Sequence, residues 1–275
     1  MSDSATTDER RARARGALIG LACGDALGRP VTGDTPAAVR DRYGRVTELL
    51  GADGHRAGTT TGLTAAAVAT AHDHIGESGD WPAPAVAGST AGRTLTAAVP
   101  HGLVDAPASE RAASAADTTE RRADADPVED DTREAAAVVA VVVGELVDGA
   151  TTAAALDTAR TVALDRGAPV SVRETLAVVG DRAAVTIATA GPALALLETA
   201  LHEAVVADGP EESTVASVSR GGEAAALGAV AGALAGARHG EADVPIRWRN
   251  GLGETAAVLR DLADALTEAS PAERR

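Results

Sequence analysis

Two stripes of glycine constrain this chain more than any other feature. Gly16, Gly20, Gly24 and Gly28 recur at a spacing of four near the start, and Gly228, Gly232, Gly236 and Gly240 repeat the spacing near the end. On a helix, that spacing puts all four residues of a stripe on one face. Each glycine inside a helix costs about 0.5–1 kcal/mol relative to alanine. Such a stripe is stable only where something else offsets the cost, and close approach of another helix backbone does so. The two striped helices are therefore expected to cross each other in the core. Similar stripes pair helices in membranes, but the longest near-apolar run here, Ala224–Ala237, has 14 residues. That is too short to span a bilayer and reads as a buried helix.

The composition agrees with a tightly packed interior. Apolar residues make up 45% of the chain and aromatic residues 1%, with no Phe. Small side chains bury less area per residue, so close helix packing has to supply the rest of the stability. At 275 residues the chain has room for one large domain or two small ones, and no shift in composition marks a second. Forty acidic residues against 25 basic ones give a formal net charge of −15. A surface of that sign repels nucleic acid and anionic lipid, so neither is expected as a partner.

The basic residues are all Arg, without one Lys. An acidic, Lys-free surface predicts adaptation to molar salt, where screening mutes self-repulsion. A GC-rich coding bias also exchanges Lys for Arg and favours Ala, but it does not require such a charge. The single Cys, Cys23, excludes an intramolecular disulfide and suits a reducing compartment. Its place between Ala22 and Gly24 favours a packing role over a nucleophilic one. The opening residues lack a basic-then-apolar signal pattern, so a cytoplasmic location is expected.

Helical spacing of apolar residues predicts helices over about 8–27, 36–43, 61–75, 90–99, 132–147, 152–165, 171–189, 193–206, 223–238 and 254–267, and no strand. Thr35-Pro36 reads as an N-cap followed by Pro at the first helical position, with Gly44 closing that helix. Residues 105–131 lack apolar period and read as a solvated loop or short polar helices. The fold class expected is all-α, one domain over 1–268, with 269–275 as a flexible tail.

Local signals for chemistry are weak. His72-Asp73-His74 has metal-ligand residue types, but neighbours two apart on a helix point to opposite sides, so a solvated helix end is the better reading. The acids Asp124, Asp126, Glu129, Asp130 and Asp131 read as a solvated charge run rather than a cation site. Gly221-Gly222, opening a helix, can present backbone N–H groups to a phosphate. Asp25 lies on a helix expected to be buried, where a carboxylate must be paired or hydrogen-bonded. It reads as an anchor for a neighbouring backbone or Arg, or as a residue set just behind a binding site.

Order along the chain carries more. Residues 13–28, Arg-Ala-Arg-Gly-Ala-Leu-Ile-Gly-Leu-Ala-Cys-Gly-Asp-Ala-Leu-Gly, resemble the opening helix of the ADP-ribosylglycohydrolase family. The Thr35-Pro36 helix, Arg42-Tyr43-Gly44 and Val46-Thr47 follow in the family's order. Gly58-Thr59-Thr60-Thr61-Gly62-Leu63-Thr64 falls where the family carries Gly-Thr-x-Thr-Asp-Asp-Thr. Gly88–Leu95 is similar to its next Gly-rich helix start, and residues 221–236 resemble its late Gly-Gly-Asp-x-Asp-Thr helix. Pro245 and Trp248 also stand where the family has a Pro and a Trp.

The resemblance implies an all-α fold and hydrolysis that removes ADP-ribose from modified side chains, or a related cleavage, with two Mg²⁺ ions. Carried over residue by residue, the early Thr-Asp-Asp ligands become Thr61, Gly62 and Leu63. The late Asp-x-Asp-Thr becomes Glu223, Ala224, Ala225 and Ala226. No metal is expected at Gly62, Leu63, Ala225 and Ala226, because Mg²⁺ needs oxygen ligands in near-octahedral geometry and these residues offer none from their side chains. No cofactor is expected. The family's mid-chain Asn-Gly…Met-Arg segment and its Thr-His are also missing from residues 105–133.

The expected function is that of a family homologue without its dinuclear site, binding ADP-ribose or a related nucleotide, or a protein partner. Thr61, Gly221, Gly222 and Asp25 are the expected ligand contacts. One alternative is an active hydrolase with Glu223 as general base toward a water. Another is a non-catalytic structural subunit beside an intact relative.

Overall fold

The computed structural model describes residues 6–52, 54–76, 81, 88–122, 129–179 and 191–269. Its helices in chain order are α1 (Thr7–Gly28), α2 (Pro36–Tyr43), α3 (Gly62–Ile75), α4 (Thr90–Leu103), α5 (Ala108–Arg121), α6 (Asp130–Val147) and α7 (Thr152–Asp165). They continue with α8 (Val170–Val178), α9 (Pro192–Val206), α10 (Pro210–Val218), α11 (Ala224–His239), α12 (Ile246–Leu252) and α13 (Glu254–Glu268). Among the described residues there is no strand, only an isolated bridge between Ala52 and His55.

The glycine stripes organise the centre. Helices α1 and α11 run antiparallel with Gly16 facing Gly236, Gly20 facing Gly232, and Gly24 facing Gly228. A β-carbon on any of these six would fall within 3.0 Å of the opposite backbone. No side chain larger than hydrogen fits at those positions, and the contact offsets the low helix propensity of glycine. The fourth step of the two stripes differs from expectation. Gly28 meets Ala224, whereas Gly240 sits beyond the pair at φ +87 and closes α11 as its cap.

Helices α3, α4, α6, α9, α10 and α13 pack around this pair. Helix α6 is buried almost throughout, from Glu134 to Val147 apart from Glu145. Its first turn carries Asp130 and Asp131, which suit the positive end of the helix, and its N-cap is Glu129 rather than the expected Thr132.

Residues 105–131 correct the sequence reading. Ala108–Arg121 form one continuous helix whose inner face buries Arg111, Ala112, Ala115, Ala116, Thr118 and Thr119. Alanine and threonine give a weak apolar signal, and the anchor of the face is a buried Arg. Arg111 Nε donates to the Val104 carbonyl at 3.2 Å and Nη2 to Asp148 at 2.6 Å. Its guanidinium lies flat against Gly144 of α6, where a β-carbon would collide with it. The helix expected over 171–189 ends at Val178, and residues 180–189 lie outside the described residues. Helices α10 and α12 were not predicted. The acids Asp124 and Asp126, the loop 82–84 and the tail 270–275 also lie outside the described residues.

Candidate functional site

Three helix N-termini meet beside the C-terminal end of α1. Asp25, fully buried in α1, is the hub. Its Oδ2 accepts hydrogen bonds from the Thr61 N–H at 2.8 Å, the Thr64 N–H at 3.2 Å and the Thr64 hydroxyl at 2.6 Å. Burial pushes the Asp25 carboxyl up from its ordinary value, while these donors pull it back. Thr61 is the N-cap of α3 and accepts the Leu63 N–H at 3.2 Å. One carboxylate from α1 therefore satisfies backbone donors that the first turn of α3 would otherwise leave open. The anchoring role read from the sequence for Asp25 is the geometry found.

Ser89 and Glu223 make a second link. Ser89 caps α4, accepting the Gly92 N–H at 3.1 Å, and its hydroxyl donates to Glu223 Oε2 at 2.7 Å. Glu223, half-buried, is the N-cap residue of α11. Thr96 in α4 donates to the Leu63 carbonyl at 2.9 Å, tying α4 to α3. Between these links the contacts are apolar. A β-carbon placed on Gly92 would lie 2.7 Å from Leu63 Cδ2 and 2.7 Å from Ala226 Cβ. Leu63 and Ala226, from the two separate motifs, thus border one packed spot under α4 together with Ser89 Oγ.

Gly221 and Gly222 hold the entry to α11. Gly221 has φ +64, and a β-carbon there would run into the Asp34 carbonyl oxygen. The Gly222 N–H donates to Asp34 O at 2.8 Å, and Gly222 O accepts the Gly33 N–H at 2.7 Å. The Gly221 N–H donates to Val218 O at 3.1 Å. Both amides read from the sequence as phosphate donors are engaged with backbone carbonyls in this structure. The Ala225 N–H is likewise taken by Thr32 Oγ1 at 3.1 Å.

This frame is shared with known proteins. Residues 6–88 and 76–275 match the ADP-ribosylglycohydrolase family. The chain belongs to that family. A solved structure described as an ADP-ribosylglycohydrolase-related protein complex is 27% identical, with a TM-score of 0.75, covering 96% of this chain and 99% of that one. No curated protein matches.

Members of the ADP-ribosylglycohydrolase family are typically metal-dependent, so the donor set here has to be tested against a pair of Mg²⁺ ions. At the two motif positions stand Gly62, Leu63, Ala225 and Ala226, all buried and none with a side-chain oxygen. Thr61 Oγ1 caps its own helix, and Glu223 is held by Ser89. Among the described residues, no three His, Cys, Asp or Glu side chains gather where they could hold an ion. Asp73 is paired with Arg122 at 2.6 Å, and Asp53 lies outside the described residues. Two divalent ions a few ångström apart need several carboxylates to offset their repulsion. The residues present do not fit them.

Sequence reasoning missed Ser89, although a Ser immediately before a helix start is a capping signal. It also missed the environment of His74. That residue lies in the last turn of α3, half-buried, and its Nε2 lies 2.7 Å from Nδ1 of buried His101, which also meets Ser114 Oγ at 2.9 Å. Cys23 is buried, and burial pushes its thiol well above the ordinary range, as befits a packing residue.

Proposed function

We propose that this ADP-ribosylglycohydrolase family member has lost the dinuclear Mg²⁺ site and the hydrolase activity that depends on it, and serves as a binding protein. The observation that carries this reading is the spot around Gly92. Leu63 and Ala226, where the family's motifs have an Asp and a Thr, both close in on Gly92 with apolar side chains. Cleavage of an N-glycosidic bond develops positive charge on the sugar and negative charge on the leaving group, and preorganised ions or acids have to stabilise both. A lone Glu223, already hydrogen-bonded to Ser89, supplies neither a metal nor an acid partner.

The ligand class proposed is ADP-ribose or a related nucleotide, with Thr61, Gly221 and Gly222 as its proposed contacts. Gly222 is exposed and a β-carbon there would meet nothing within 4 Å, so a ligand can approach its backbone closely. The test is a calorimetric titration of ADP-ribose into the protein in molar KCl, once with Mg²⁺ and once with EDTA. Equal binding in both is the expected result. Binding that needs Mg²⁺, or release of free ADP-ribose from a modified peptide, overturns the loss of the site. Silence in both buffers removes the nucleotide and leaves a protein partner, a role for which the solved relative's description as a complex offers support.

A further inference from the structure

Asp25 and Arg29 stand one helical turn apart where α1 ends, on the same side of the helix. Asp25 is 0% and Arg29 6% exposed. Both are half-satisfied. Asp25 uses Oδ2 for its three hydrogen bonds, and its Oδ1 has no partner among the described residues. Arg29 donates from Nε to Thr59 O at 3.2 Å and from Nη1 to Ala52 O at 3.0 Å, while its Nη2 has no partner among the described residues. The two side chains grip the same short segment, Arg29 by the Thr59 carbonyl and Asp25 by the Thr61 amide. Neither forms an ion pair with the other among the described residues.

A buried polar atom left without a partner costs about 1–3 kcal/mol, more when charged, and here two belong to residues one helical turn apart that hold the same segment. We propose that one buried water bridges Asp25 Oδ1 and Arg29 Nη2 beneath Thr59–Thr61. Residues one turn apart have β-carbons about 5–6 Å apart, so their side chains leave the helix as neighbours. The chemistry selects water. Guanidinium only donates, so it repels a cation and asks for a lone pair. The carboxyl repels an anion and asks for a donor, or for a second lone pair when it carries a proton. Water meets both demands in either protonation state, and buried waters with two to four such partners are normal constituents of folded proteins. Thr59 to Thr64, which lead into α3, are then held by side chains of α1 and one water, without a metal ligand.

Two measurements on the full chain test this. A high-resolution crystal structure should show an ordered oxygen within hydrogen-bond distance of both Asp25 Oδ1 and Arg29 Nη2. In solution, water–amide NOE spectra should show a long-lived water next to the Thr61 or Thr64 N–H, and Arg29→Met should abolish that cross-peak. A direct Oδ1–Nη2 ion pair, a water touching only one of the two, or a cross-peak unchanged in Arg29→Met overturns the proposal. If Arg29→Met fails to fold, the crystal structure of the unaltered chain decides alone.

Discussion

At the scale of single residues, Asp25 sets a pH dependence whose sign follows from its burial. Its carboxyl is raised above the ordinary Asp value of 3.8, so the folded state holds the proton more tightly than the unfolded state. The contribution of Asp25 is therefore fully present below pH 3.8 and falls as pH rises through the window up to its folded value. Thermal melts from pH 4 upward should show this loss, and Asp25→Asn should flatten that part of the profile while keeping an acceptor for Thr61 and Thr64. A steeper profile in Asp25→Asn would contradict the assignment.

The motif positions give a second prediction at this scale. Gly62→Asp, Leu63→Asp, Ala225→Asp and Ala226→Thr together should lower the Tm in EDTA, because carboxylates then sit unpaired in a packed spot. Mg²⁺ should restore stability by about 2.7 kcal/mol once its concentration reaches about a hundred times Kd. The unaltered chain should show no Mg²⁺-dependent shift in the same assay.

At the scale of elements, the α1–α11 contact is the test of the glycine stripes. Gly24→Ala removes an unfavourable helix glycine, which by propensity alone would stabilise by about 1 kcal/mol. The added methyl meets the Gly228 backbone, which has no side chain to move aside. Overpacking of this kind costs about 1–3 kcal/mol or more, so a net drop in Tm is expected from urea and thermal unfolding. Gly209→Ala is the control, because Gly209 has extended backbone (φ −171) and open space around it, and it should change stability by less than about 0.5 kcal/mol. Arg111→Ala tests the α5–α6 contact. It removes hydrogen bonds to Val104 and Asp148 and leaves a void against Gly144, a loss of about 2–4 kcal/mol read from the urea midpoint.

The elements also show where sequence legibility stops. Helices marked by a capping residue or a closing glycine, such as α2 between Thr35 and Gly44 or α7 from Thr152 to Asp165, appear at the predicted bounds. Helix α5 escaped because its buried face is alanine, threonine and one Arg, none of which raises a periodic apolar signal. Helix α10 escaped for a similar reason: Ser213, Thr214 and Ser217 are part of its buried face.

At the scale of the whole molecule, the charge of −15 is unevenly matched by ion pairs. Arg15–Asp264, Arg247–Glu211 and Arg166–Glu134 tie α1 to α13, α12 to α10 and the end of α7 to α6, yet many acids among the described residues face solvent without an ion pair. Salt shortens the reach of their mutual repulsion to about 3 Å at 1 M from about 10 Å at 0.1 M. A protein shaped for molar salt should therefore melt at a lower temperature and less cooperatively in roughly 50 mM KCl than in about 2 M KCl. Identical melts in the two buffers would remove that reading. Among the described residues no helix is long and apolar enough to cross a membrane.

The sequence by itself determined the all-α class, the family order of motifs, the pairing of the two glycine-striped helices and the replacement of motif carboxylates by Gly, Leu and Ala. Those are properties of composition and local spacing, which a linear reading carries intact. Tertiary structure alone decided that Leu63 meets Ala226 across Gly92, that Ser89 holds Glu223, and that the Gly221 and Gly222 amides are engaged by carbonyls. Each of these joins segments distant in the chain. Which side chain reaches which backbone group depends on how α1, α3, α4 and α11 are stacked, and no local spacing encodes that.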